Sequence, residues 1–109
     1  MKLSELEPHW LKVLDERTFQ FEGVSFAEAD GVGFLCPLCF ERNGRTAVGT
    51  HQVICWRPKV TKPIPPNPGR WEFEGTGVDD LSLVAGSSSI LLTSGCRAHF
   101  YVRKGEIAW

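Results

Sequence analysis

Long apolar runs are missing from this sequence. No stretch approaches the ~18 apolar residues of a membrane-crossing helix. The opening residues, MKLSELEPHW, also lack the apolar core of a secretion signal. Both absences make the cytoplasm the expected compartment. A dominant charge is missing too. Twelve Lys and Arg stand against 13 Asp and Glu, a net charge of −1. That gives no overall attraction to nucleic acid or to an anionic membrane. No internal repeat is present, so solenoid and propeller architectures are set aside.

What is present is ordinary globular composition. Hydrophobic residues make up 42% and charged residues 23%, which separates the chain from disordered sequences. The length of 109 residues suits one domain spanning 1–109. A domain this small has a modest core and gains from a metal or disulfide staple.

The charge is unevenly spread. Residues 36–70 carry Arg42, Arg45, Arg57, Lys59, Lys62 and Arg70 against a single acid, Glu41. The flanking segments are both acidic. The middle third is therefore either a local basic patch or a set of solvated loop charges, and the second reading is preferred.

Apolar periodicity predicts one helix over 3–15. Leu3, Leu6, Trp10, Leu11 and Leu14 share a helical face, and Ser4 with Glu7 reads as a capping box. The rest reads as strands. Residues 18–26 alternate apolar and polar around a Gly and read as a strand or short hairpin, 31–35 lead into the first cysteine pair, and THQVICW at 50–56 is β-branched and aromatic. Asn43-Gly44 predicts a hairpin within 40–49. The five prolines between 57 and 70 forbid helix and central strand, so that stretch reads as a stiff extended connector. Short strands follow at 71–73, 81–84, 90–93 and 99–102, with Gly86-Ser-Ser-Ser89 as a loop. A turn at Lys104-Gly105 closes a terminal hairpin with 107–109. The expected fold class is α+β and mostly β: a small antiparallel sheet stapled by zinc over 31–109, with one N-terminal helix.

The staple is read from cysteine and histidine spacing. Without a secretion signal, cysteines serve more often as metal ligands or free thiols than as disulfides. Cys36-Pro-Leu-Cys39 is C-x2-C and Cys96-Arg-Ala-His99 is C-x2-H. Two tight turns of this kind deliver four donors to one tetrahedral zinc. A rival set, Cys36, Cys39, His51 and Cys55, has finger-like spacing. It needs a helix across 51–55, where the residues favour strand, and four steps along a strand cover ~13 Å. His51 and Cys55 then cannot share an ion, so Cys36, Cys39, Cys96 and His99 are the expected ligands. Cys55 reads as a buried small hydrophobe, and His51 as a strand histidine, the preferred reading, or else as an outer neighbour or occasional fifth ligand of the metal. A thioredoxin-type role for CPLC is set aside because a turn follows within a few residues.

From Cys96 onward the chain is similar to a known group. CRAHFYVRKGEIAW resembles the closing segment, C-x-S-H-Y/F-x-I-x-x-G-x-I-x-W, of small uncharacterised bacterial and bacteriophage proteins with a domain of unknown function. RWEFEGTGVDDLSLVAGSSSI resembles their W-x-F-x-G stretch and serine-rich strand, and FLCPLC their opening motif. The resemblance covers 31–109 and implies zinc on Cys36, Cys39, Cys96 and His99. It implies a setting in phage and mobile elements, but no reaction.

Four protein ligands close a zinc shell, whereas catalytic zinc keeps a position for water. No H-E-x-x-H is present. CPLC matches half of the deaminase motif, but His51 is followed by Gln52-Val53 and not by the needed glutamate. The expected role is a protein-interaction module with a structural zinc and another protein as partner. The alternatives are nucleic-acid binding through Arg42, Arg45, Arg57, Lys59 and Lys62, and a zinc-dependent hydrolase or deaminase-like enzyme.

Overall fold

The computed structural model describes residues 1–15, 18–60, 70–84, 90–91, 96 and 98–109. Three antiparallel sheets carry the fold. Strands β1 (His9–Val13), β2 (Phe19–Gln20), β3 (Gly31–Leu35) and β4 (Gln52–Trp56) form the first, in the order β2-β1-β3-β4. Strands β5 (Glu72–Glu74) and β6 (Ser82–Val84) form a two-stranded sheet. Strands β7 (Ile90–Leu91), β8 (His99–Arg103) and β9 (Glu106–Ala108) form the third, with β8 central. One short helix, α1 (Pro37–Arg42), follows β3. The mostly-β expectation is correct. No helix among the described residues is long and apolar enough to cross a membrane.

The predicted helix over 3–15 is replaced by a 3-10 turn at Leu3–Leu6 and strand β1. Pro8 and Glu7 explain the break. Pro8 cannot donate within a helix and biases its predecessor away from helical angles. Glu7 sits at φ 50, ψ 54, the left-handed conformation that ends a helical turn. The expected Ser4–Glu7 capping pair is also displaced: the Lys2 N–H donates to the Glu5 carboxylate at 2.7 Å. Leu3 and Leu6 still reach the core, fully buried. Beyond the break, His9, Trp10 and Leu11 pair with Gly33, Val32 and Gly31.

Strand β3 is buried along its whole length. One face sends Val32 and Phe34 into the main core with Val53, Cys55, Leu81, Leu83, Phe100 and Val102. On the other face Gly31 lies under the Trp56 ring, where a Cβ would overlap both the ring and the Cys55 carbonyl. A smaller cluster of Leu11, Trp56 and Val60 packs there. Asp30 pins the edge of this sheet: its carboxylate accepts from the Val13 N–H at 2.7 Å and pairs with Lys59 at 3.3 Å.

Of the strand or short hairpin expected over 18–26, only the strand Phe19–Gln20 forms. Ser25 and Glu28 cap a turn: the Ser25 hydroxyl donates to the Glu28 carboxylate at 2.8 Å and accepts from the Glu28 N–H at 3.3 Å. The hairpin expected at 40–49 gives way to the end of α1 and the turns beyond it, with Gly44 at φ +71. The terminal hairpin forms, with Lys104 at φ 49 and Gly105 at φ 77 in its turn. The proline-rich stretch at 61–69, the Gly86–Ser89 loop, residues 92–95 and Arg97 lie outside the described residues.

Candidate metal centre

Strand pairing assembles the first half of the site. Residues 31–35 of β3 face residues 56–52 of β4 in antiparallel register. One further step places Cys36 opposite His51, and the Cys36 N–H donates to the His51 carbonyl at 2.9 Å. Pro37 then starts α1, a position where its missing N–H costs nothing. The helical turn brings Cys39 back beside Cys36, and the Phe40 N–H donates to the Cys36 carbonyl at 2.9 Å. Cys96, just ahead of β8 in the chain, packs against the same core and brings the third thiol.

The donor atoms of Cys36, Cys39, His51 and Cys96 all lie within 4.8 Å of one another. Cys36 Sγ is 3.5 Å from Cys96 Sγ, and His51 Nε2 is 3.3 Å from Cys96 Sγ. A tetrahedral ion with metal–sulfur bonds of ~2.3 Å sets its ligands ~3.8 Å apart. The cluster fits that size, and three thiols with one imidazole form a donor set consistent with zinc. His51 Nδ1 lies 3.2 Å from the Gln52 carbonyl. A proton on Nδ1 would satisfy that carbonyl and leave Nε2 free to ligate.

The thiols differ in their surroundings. Burial pushes Cys36 up to about 12, against the pull of the Cys39 and Leu38 backbone N–H groups. Burial and the neighbouring Cys96 also raise Cys39. Burial acts upward on Cys96 as well, but the hydrogen bonds from His51, the Ala98 backbone and the two other thiols outweigh it and bring it to about 7.

Three of the four expected ligands meet, and His99 is not among them. The reason is strand alternation. Ala98, Phe100 and Val102 point into the core, so His99 is turned outward on β8 and exposed. Its ring lies 5.8 Å from that of Tyr101. His51 takes the fourth place. The readable signal was the pairing of GVGFL with QVICW, which puts residue 51 level with residue 36. Cys55 sits on β4 opposite Val32, fully buried, and burial raises its thiol strongly. His51 and Cys55 are therefore mutually exclusive ligands, as strand spacing required. His9 packs against Phe21 instead, with ring centroids 6.0 Å apart.

The basic segment is largely engaged within the fold. Arg45 pairs with Glu5 at 3.2 Å and Glu41 at 3.4 Å. The Arg57 guanidinium lies between the Phe26 and Phe73 rings, 4.7 Å from each centroid. Arg70 Nε donates to the Val60 carbonyl at 2.8 Å. Lys62 lies outside the described residues. No family model, curated protein or solved structure matches the chain.

Proposed function

We propose that the cluster holds one structural zinc ion and that the stapled β domain acts as a protein-interaction module. The convergence of four soft and borderline donors within 4.8 Å carries this reading. Four protein ligands leave no place for a metal-bound water, and three thiolates would leave the centre with a net negative charge that opposes water activation. These points favour a structural role over a hydrolytic one.

Two features support a protein partner. Leu14, Phe19 and Phe21 are large apolar side chains left exposed along one hairpin, β1–β2. Beside them His9, Leu11, Phe19, Phe21, Gly33, Gln52 and Ile54 line a depression of ≈ 270 Å³. Clustered exposed apolar surface is typical of protein-binding sites. Arg45 and Lys59 are paired with carboxylates, and Arg57 lies between two aromatic rings, so these three charges are engaged within the fold.

The test pairs cobalt substitution with oligonucleotide titration at low salt. Intense d–d absorption of a tetrahedral three-sulfur, one-nitrogen cobalt site, with no measurable binding to single-stranded or duplex DNA, is expected. Octahedral cobalt would overturn the metal reading. Tight binding that weakens steeply with salt would replace the protein partner by a nucleic acid.

A further inference from the structure

We propose that Cys36 and Cys96 join as a disulfide when the metal leaves, so that one staple exists in two interchangeable forms. The inference rests on the metal reading for its first form. Its second form rests on the sulfur geometry alone.

Cys36 Sγ and Cys96 Sγ stand 3.5 Å apart, close to contact, although 60 positions separate the residues. A closure of about 1.5 Å brings them to the bonding distance of a disulfide. Their accessibilities differ. Cys36 is fully buried and Cys96 is half-buried. Within this pair a small oxidant therefore meets Cys96 first, and Cys36 waits behind it as the resolving thiol; Cys39 is half-buried too, but the 3.5 Å sulfur contact joins Cys36 to Cys96.

The oxidant is a hydroperoxide, with hydrogen peroxide as the simplest case. The Cys96 thiolate attacks one peroxide oxygen, the O–O bond breaks, and hydroxide leaves. The sulfur is now a sulfenic acid. Cys36 attacks that sulfur, the S–S bond forms and the S–O bond breaks. Water leaves with the Cys36 proton. Two electrons pass from the two sulfurs to the peroxide.

The product keeps the connection that the metal made. Cys36 sits at the junction of β3 and α1, and Cys96 sits just ahead of β8, so the link still joins the first and third sheets. It also consumes two of four ligands, so metal cannot return until a thiol reductant reopens the bond. Bonding between Cys36 and Cys39 would instead join neighbours within one turn and leave Cys96 free.

The experiment takes the purified full chain, removes metal with a chelator, and adds one equivalent of hydrogen peroxide. Free thiols are then alkylated and peptides mapped by mass, with zinc measured in parallel. The expected result is a Cys36–Cys96 cross-link with alkylated Cys39, and zinc rebinding only after dithiothreitol. The Cys39→Ser chain should form the same cross-link even where its metal affinity is lost. A dominant Cys36–Cys39 or Cys39–Cys96 link overturns the proposal, as does over-oxidation of Cys96 without a cross-link. A chain that never takes zinc yet forms the Cys36–Cys96 bond removes the metal reading and leaves this one standing.

Discussion

Cys55 separates packing from coordination at the residue scale. It is fully buried between Val32 and the main core, away from the four donors. Cys55→Ser places a hydroxyl where no water can reach it, at a cost of about 1–3 kcal/mol. Urea unfolding should show that loss while the metal content stays unchanged. Cys36→Ser should remove the metal itself. Equal metal loss in both variants would mean that Cys55 belongs to the centre after all. His51 makes a second lesson at this scale. Its spacing to Cys55 suggests a finger, and setting the finger aside leaves His51 outside the four expected ligands, as an outer neighbour at most or an occasional fifth ligand. Only the register with β3 shows that the exclusion falls on Cys55.

Two turns control how the elements meet. Lys104 and Gly105 both have positive φ in the β8–β9 turn, the conformation that Asn-Gly adopts best. Lys104→Asn should therefore stabilise the domain by about 0.5 kcal/mol, read as a higher melting temperature. Gly105→Ala should cost about 1–3 kcal/mol, because its Cβ would run into the Asp79 carbonyl. The second turn is held by Asp80, whose carboxylate accepts from the Thr76 and Gly77 N–H groups and the Thr76 hydroxyl. Those bonds, led by the Thr76 N–H, lower its pKa below the ordinary 3.8. A lowered folded pKa means stability that is complete above the ordinary value and lost as pH falls through the folded one. Asp80→Asn should be less stable than the parent chain near neutral pH, with the difference shrinking under acid. A gap that stays constant down to acid would refute this role.

Elements were legible in the sequence where one signal acted alone. Strands β3, β4 and β8, with the Lys104-Gly105 turn, followed directly from alternation, β-branching and glycine. Residues 3–15 were misread because Leu3, Leu6, Trp10, Leu11 and Leu14 fit two patterns at once. The same spacing serves a 3-10 turn followed by a strand whose Trp10 and Leu11 face opposite sides of the sheet. Pro8 was the deciding residue, and its cost is lowest at a helix start, so it did not settle the choice by itself. The CPLC helix was hidden for the opposite reason: six residues are too few to show a period.

At the scale of the whole molecule, the proposed metal would close a long circuit. It would tie the β3–α1 junction to the chain just ahead of β8, across more than half of the sequence. A structural metal that binds only the folded chain adds its binding free energy to folding. Chelation should therefore lower the melting temperature of the entire domain in one transition and not merely loosen one corner. Calorimetry with and without chelator checks this, and an unchanged transition would mean that the sheets hold together without the ion.

The most direct test of the central claim is zinc content by elemental analysis for the parent chain, His51→Ala and His99→Ala. The geometry predicts about one zinc per chain in the parent and in His99→Ala, with a large loss in His51→Ala. Zinc retained in His51→Ala and lost in His99→Ala would contradict it, and would return the fourth ligand to strand β8.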